Sequence, residues 1–287
     1  ACARMPSSHT EHVDMPQRLA LLLTLACVIT AAQARAEQAS PAAHAPEILL
    51  LGEVHDSAVG HAARATLLQR RIADGWRPAI AMEQFDTDQQ PALDAAMAAC
   101  ADADCVLARV AGKPSWHWPY YKPVIAMALQ YHLPLYAANL SRGDAGKIVK
   151  DGFAAALPAA LVAHYDLDHL PTAVLTAQET EVRDGHCGML PEEMVAPMAK
   201  AQIARDVVMA ETLRTHAGSG IVLIAGNGHT RRDIAVAYWL RKDGLAAHAV
   251  GYLEPDSEGD RYDEVHRIPK TERPDPCAQF RAPKPAG

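Results

Sequence analysis

Four consecutive apolar residues, Ile48 to Leu51, run straight into Gly52, Glu53, Val54 and His55. An unbroken apolar run of this length, rather than an alternating one, suits a strand that is covered on both faces. The period then changes. HAARATLLQRRIADG places apolar residues at helical spacing and stops at Gly75. A second strand, RPAIAMEQF, is entered through Pro78, and QPALDAAMAAC and YYKPVIAMALQYH read as helices. Three further strands follow: LPLYAANLS, GIVLIAGNGH and AAHAVGYLE. Strands alternating with helices imply parallel strands joined by crossover helices. The expected fold is therefore α/β, a mostly parallel central sheet flanked by helices. Residues from about 145 to 215 hold no convincing strand and read as a helical insert packed over one end of the sheet. The tail from Arg267 onward is rich in Pro and charge and reads as irregular. There is no internal repeat of solenoid type.

The strand ends carry the unusual residues. The first ends in Gly52-Glu53-Val54-His55, the second in Met82-Glu83-Gln84-Phe85, the third in Asn139-Leu140-Ser141-Arg142, and the fourth in Gly226-Asn227-Gly228-His229. In a parallel sheet these ends share one edge, the edge at which open α/β folds bind ligands. Glu53, His55, Glu83, Asn139, Arg142 and His229 are expected to converge there. Strand side chains alternate, so Glu53 and His55 would share a face, and Asn227 and His229 would repeat the relation. Two imidazoles and one or two carboxylates form a plausible divalent-metal set and equally an acid–base set. The plainer reading is that each His only bonds a loop.

Composition narrows the classes. The chain has 287 residues, 49% hydrophobic and 21% charged, with net charge -7 and no Lys/Arg-rich run. Phosphate binding needs a basic face, so a nucleic-acid partner is not expected. MPQRLALLLTLACVITAAQARA reads as a signal peptide: Arg18, an apolar stretch from Leu19 to Ala32, then two A-x-A sites. On this reading translation starts at Met15, residues 1–36 are upstream stretch plus leader, EQASPAAHAP is a linker, and residues 37–287 form the α/β domain. Cys27 is an alternative lipid-attachment site, although Thr24 stands where a Leu is usual. Four cysteines then remain, and an even number in an exported chain points to two disulfides. Cys100 with Cys105, and Cys187 with Cys277, is the favoured one of three pairings.

Aromatic residues make up only 5% of the chain, yet GKPSWHWPYYKP gathers Trp116, His117, Trp118, Tyr120 and Tyr121 between Lys113 and Lys122. Such rings either sandwich a planar ligand or anchor the next helix to the core. In RDGHCGMLPEEM, His186 either caps the sheet edge or is a loop residue beside a structural cysteine. QIARDVVMAETL is an amphipathic helix whose Gln202, Arg205 and Asp206 face either the cleft or water.

The blocks LLGEVHDS, AMEQF, WPYYKPVIAMALQYHLPLYAANLSR, HCGMLP, QIARDVVMAETL and IAGNGHTRRDIAVAYWL, in that order over roughly residues 47–254, resemble the ChaN family of bacterial haem-binding, iron-regulated lipoproteins. That family lies within the Tiki/TraB/erythromycin-esterase-like superfamily. The resemblance implies an exported α/β domain with a helical subdomain, either periplasmic or lipid-anchored. It further implies haem binding for iron acquisition, with tyrosine ligation of haem iron between two subunits and hence a homodimer. The ligand is expected to be Tyr120 or Tyr121, and the cofactor contacts Trp116, Arg142 and His186. Hydrolases of the superfamily use a pattern that maps onto Glu53, His55, Glu83 and His229. The alternative function is thus a metal-dependent hydrolase, with a divalent ion on His55 and His229 and water activated by Glu83 or Glu53.

Overall fold

The computed structural model describes residues 47–110, 116–275 and 277–278. The leader, the linker, Cys27 and Lys113 lie outside the described residues. Strand β1 is Ile48–Leu51, β2 Ala79–Asp86, β3 Leu135–Asn139, β4 Ile221–Ile224, β5 Ala247–Leu253 and β6 Glu264–Arg267. They form one sheet in the order β3-β2-β4-β1-β5-β6, and every neighbouring pair is parallel. The central position of β1 explains its apolar run. Ile48 pairs with Ile221 on one side and Ala247 on the other, so both of its edges and both of its faces are occupied.

The two faces form separate cores. Ile48 and Leu50 join one apolar cluster, and Leu49 and Leu51 the other, as the two-residue strand period requires. The second cluster is closed by four helices: α1 (Ala58–Ala73), α2 (Gln90–Ala99), α3 (Ala103–Val110) and α4 (Lys122–Gln130). They supply Leu68, Ile72, Leu93, Val106 and Val124. The first cluster is closed by α5 (Arg142–Asp151), α6 (Ala159–Tyr165), α7 (Thr172–Gly185) and the long α8 (Glu192–His216), through Ile148, Val162, Val174 and Val207. A one-turn helix α9 (Asn227–Thr230) and α10 (Val236–Leu240) complete the set.

The parallel α/β fold is the expected one, and the stretch read as an insert is helical throughout its regular elements. Two features depart from the sequence reading. Strand β6 lies just ahead of the tail and was not anticipated; it is a four-residue edge strand, half-exposed, with no helix before it. The fourth apolar run ends in a helical turn rather than in extended chain. Both disulfides, Cys100–Cys105 and Cys187–Cys277, pair as expected.

Candidate functional site

The first Gly-x-x-His segment leaves β1 and turns its carboxylate inward. Glu53 is 2% exposed. Its Oε1 accepts hydrogen bonds from His55 Nδ1 at 2.8 Å, from the Tyr121 hydroxyl at 2.5 Å and from Gln84 Nε2 at 3.4 Å. The buried Arg64 guanidinium lies against Oε2. Arg64 sits on the inward face of α1 with Leu68 and Ile72, at i, i+4 and i+8. Its Nη2 donates to His61 Nδ1 at 3.0 Å, which leaves His61 Nε2–H to donate to the His55 carbonyl, also at 3.0 Å. His61 is therefore the neutral tautomer, and burial brings its pKa down to about 4. Burial also lowers Arg64, to about 10, which still leaves it charged at neutral pH.

The second segment is built differently. Asn227 does not face the cleft beside His229. Its side chain donates to the Tyr252 carbonyl at 2.7 Å and accepts from the Tyr252 amide at 3.2 Å, so it bonds the end of β5 as a neighbouring strand would. The expected strand alternation fails here because residues 227–230 are helical. Gly52 is required beneath this joint, since a Cβ there would lie 2.2 Å from Asn227 Oδ1. His229 gives Nδ1–H to Asp206 at 2.7 Å, and the Gln178 amide donates to the other Asp206 oxygen at 3.0 Å. The free edge of the ring, Nε2, stands 3.7 Å from Glu83 Oε1.

Glu83 is on β2, one residue beyond the last β2–β4 pair, Met82 with Ile224. Freed from that ladder, the Gly226 amide donates to Glu83 Oε2 at 2.7 Å. Burial alone would raise the Glu83 pKa, but His229, His55 and the Gly226 N–H outweigh it and hold the carboxylate below its ordinary range. Burial also opposes charge on His229, and there Glu83 and Asp206 win and raise it. Asp206, wholly buried, is pushed up to about 6. The floor of the site thus sets an imidazole edge, His229 Nε2, beside a carboxylate, Glu83, close enough for one polar group in the cleft to bond both. Above it opens a cleft of about 790 Å³, lined among others by His55, Glu181, Asp184, His229, Arg231 and Ser257. A smaller cavity of about 190 Å³ adjoins it across His229 and includes His186 and Gln202.

The remaining predicted residues separate. Tyr121 is fully enclosed with its hydroxyl on Glu53, so it is a structural bolt at this position. Tyr120 is half-buried at the end of the 3-10 turn Trp118–Tyr120, its ring 4.1 Å from His117 and 4.8 Å from His61. Trp116 packs edge-on against His55 at 4.9 Å, which joins the aromatic rim to the cleft. Lys122 is paired with Asp104. Arg142 is exposed at the start of α5. His186 follows α7 and donates Nδ1–H to the Val182 carbonyl at 2.7 Å. Arg205 turns to Asn139 and the Leu140 carbonyl, at 2.6 and 2.8 Å. Among the described residues no group of three or more His, Cys, Asp or Glu side chains is placed to hold a metal ion, so the divalent ion expected on His55 and His229 finds no such set.

The model of a family of haem-binding uptake proteins, ChaN, in the Tiki superfamily, matches residues 40–240. This chain belongs to the ChaN family. No curated protein matches its sequence. Among solved structures, ChaN of Campylobacter jejuni, described with cofacial haem binding, is similar at 19% identity and TM-score 0.63, covering 76% of this chain and 86% of that one. That likeness shows a shared ChaN fold. An erythromycin esterase in its open conformation is 13% identical with TM-score 0.42, covering 76% of this chain and 74% of its own. A type III effector is 8% identical with TM-score 0.42, covering 78% and 88%.

Proposed function

We propose that this ChaN-family protein binds haem at the aromatic rim of the cleft, with Tyr120 as the iron ligand, and serves haem or iron acquisition in the cell envelope. Membership of a haem-binding family supports the cofactor. The observation that carries the residue is the contrast between two consecutive tyrosines: Tyr121 is shut in by Glu53, whereas Tyr120 is half-open and lies against His117. The donor set suits the group, since iron takes a phenolate and an adjacent imidazole can accept the phenol proton. Trp116 and Tyr120 offer flat apolar surface beside it. When bound, haem would supply the iron and the planar face; the chain supplies the ligand and the walls.

Export through the residue 15–36 leader, with the protein free in the periplasm or lipid-held at Cys27, completes the reading. The two disulfides suit an oxidising compartment. Among the described residues no helix is long and apolar enough to cross a membrane. The cofacial haems of the Campylobacter relative suggest that two copies of this chain bring their rims together. Hemin titration followed at the Soret band tests the proposal. Tyr120→Phe is expected to abolish or shift the band, and Tyr121→Phe to keep it. An unchanged spectrum and affinity in Tyr120→Phe, or hemin binding no better than to an unrelated protein of equal charge, would overturn it.

A further inference from the structure

The cleft has two banks. One is the strand edge, with His55 after β1 and Leu253 and Ser257 at and beyond the end of β5. The other is the last turns of α7, with Thr180, Glu181 and Asp184. The C-terminal tail is fastened to both. Arg273 makes a bidentate pair with Asp56, at 2.7 and 2.8 Å, and a second with Glu254, at 2.6 and 3.1 Å. The Thr271 amide donates to the same Glu254 at 2.9 Å. Asp56 adjoins His55, and Glu254 adjoins Leu253, so this end of the tail is tied to the first bank. Four residues later Cys277 is bonded to Cys187, three residues beyond Asp184 on the second bank. Four residues span at most about 14 Å of chain, so the tail is a short tether.

We propose that the C-terminal tail is a disulfide-locked brace that fixes the width of the cleft. Among the described residues one other charged link joins the banks, Glu181 to Arg231 and Arg261. Glu181 and Arg261 are half-exposed and water competes for their pair, whereas Arg231 is buried. A thiol reductant supplying two electrons and two protons would break the Cys187–Cys277 bond into two thiols and release the tail from the α7 bank, which then keeps its place by packing on α8 and by the Glu181 ion pairs. The width of the cleft would then follow the redox state of its surroundings, while the sheet beneath it stays as built.

The test compares the parent with Cys187→Ser/Cys277→Ser, with Arg273→Ala, and with all three changes together. Each is treated with diethyl pyrocarbonate, and carbethoxylation of His229 at the cleft floor is read against exposed His169. Backbone hydrogen exchange over residues 180–188 is followed in parallel. Releasing either end is expected to raise His229 modification and loop exchange several-fold. The combined variant should add little, because a tether cut at one end is already cut. Unchanged rates in both single-end variants, or effects of the two ends that multiply, would overturn the brace. If the cysteine pair fails to fold by circular dichroism, Arg273→Ala, with both disulfides intact, decides the question alone.

Discussion

The two Gly-x-x-His segments are spelled alike and built differently. In the first, His55 takes its carboxylate from Glu53, two residues back on the same chain exit. In the second, the residue two back, Asn227, is spent on the Tyr252 backbone, and His229 takes its carboxylate from Asp206 on α8. The first pair is closed off from behind by Arg64 and Tyr121, while the second faces Glu83 and the open cleft. A repeated motif therefore repeats the placement of an imidazole at a strand end, not the chemistry around it. The local carboxylate anchors. The remote one polarises.

The largest effect should come from breaking the closed side. Arg64→Met leaves Glu53 buried without its cation and is expected to cost about 3–5 kcal/mol in urea unfolding. The joint between the segments comes next. A Cβ at Gly52 would meet Asn227 Oδ1 at 2.2 Å and Thr230 Oγ1 at 2.7 Å, so Gly52→Ala should cost about 1–3 kcal/mol. Gly228, with nothing within 4 Å, is the control, and Gly228→Ala should stay within about 0.5 kcal/mol of the parent.

The closed side also carries a pH signature. His61 has a folded pKa of about 4, against the 6.5 of a free imidazole. The unfolded chain therefore binds the extra proton between these values. Stability from this group is complete above pH 6.5 and is lost as pH falls toward 4, with a slope of at most about 1.4 kcal/mol per pH unit. Unfolding free energies measured from pH 4 to 7 should show a shallower slope in His61→Gln. If the slope is the same, His61 is not buried in its neutral form. The sharpest change expected in titration is that of Asp206→Asn. Asp206 and Glu83 together raise the His229 pKa against the cost of burial, so removing one anion should lower the His229 pKa as followed by NMR. A His229 titration that ignores Asp206 would erase the distinction between the two segments.

Much of this was legible in the chain. The strand runs, their parallel order and the edge that gathers Glu53, His55, Glu83 and His229 follow from apolar runs and from what ends them. The partners were harder to read. Arg64 carried a signal, since it occupies the inward stripe of α1 with Leu68 and Ile72, where an arginine needs a buried anion. Asp206 was visible as a polar residue on a long helix, but α8 is buried on several sides, so spacing did not select the direction of its carboxylate. Strand β6 was missed because four residues at a half-exposed edge carry no apolar run.

The neighbouring tyrosines of the rim show how narrow the margin is. Successive side chains of a 3-10 turn point about 120° apart, and at the end of this one the chain leaves Tyr120 beside His117 and sends Tyr121, the residue that leads into α4, to Glu53. Phase, rather than residue type, separates the inner phenol from the outer one. One residue inserted between Trp116 and Tyr120 would carry Tyr120 into the inner position and leave the outer position without a tyrosine. The length of this turn thus decides which of the two rings the cleft meets.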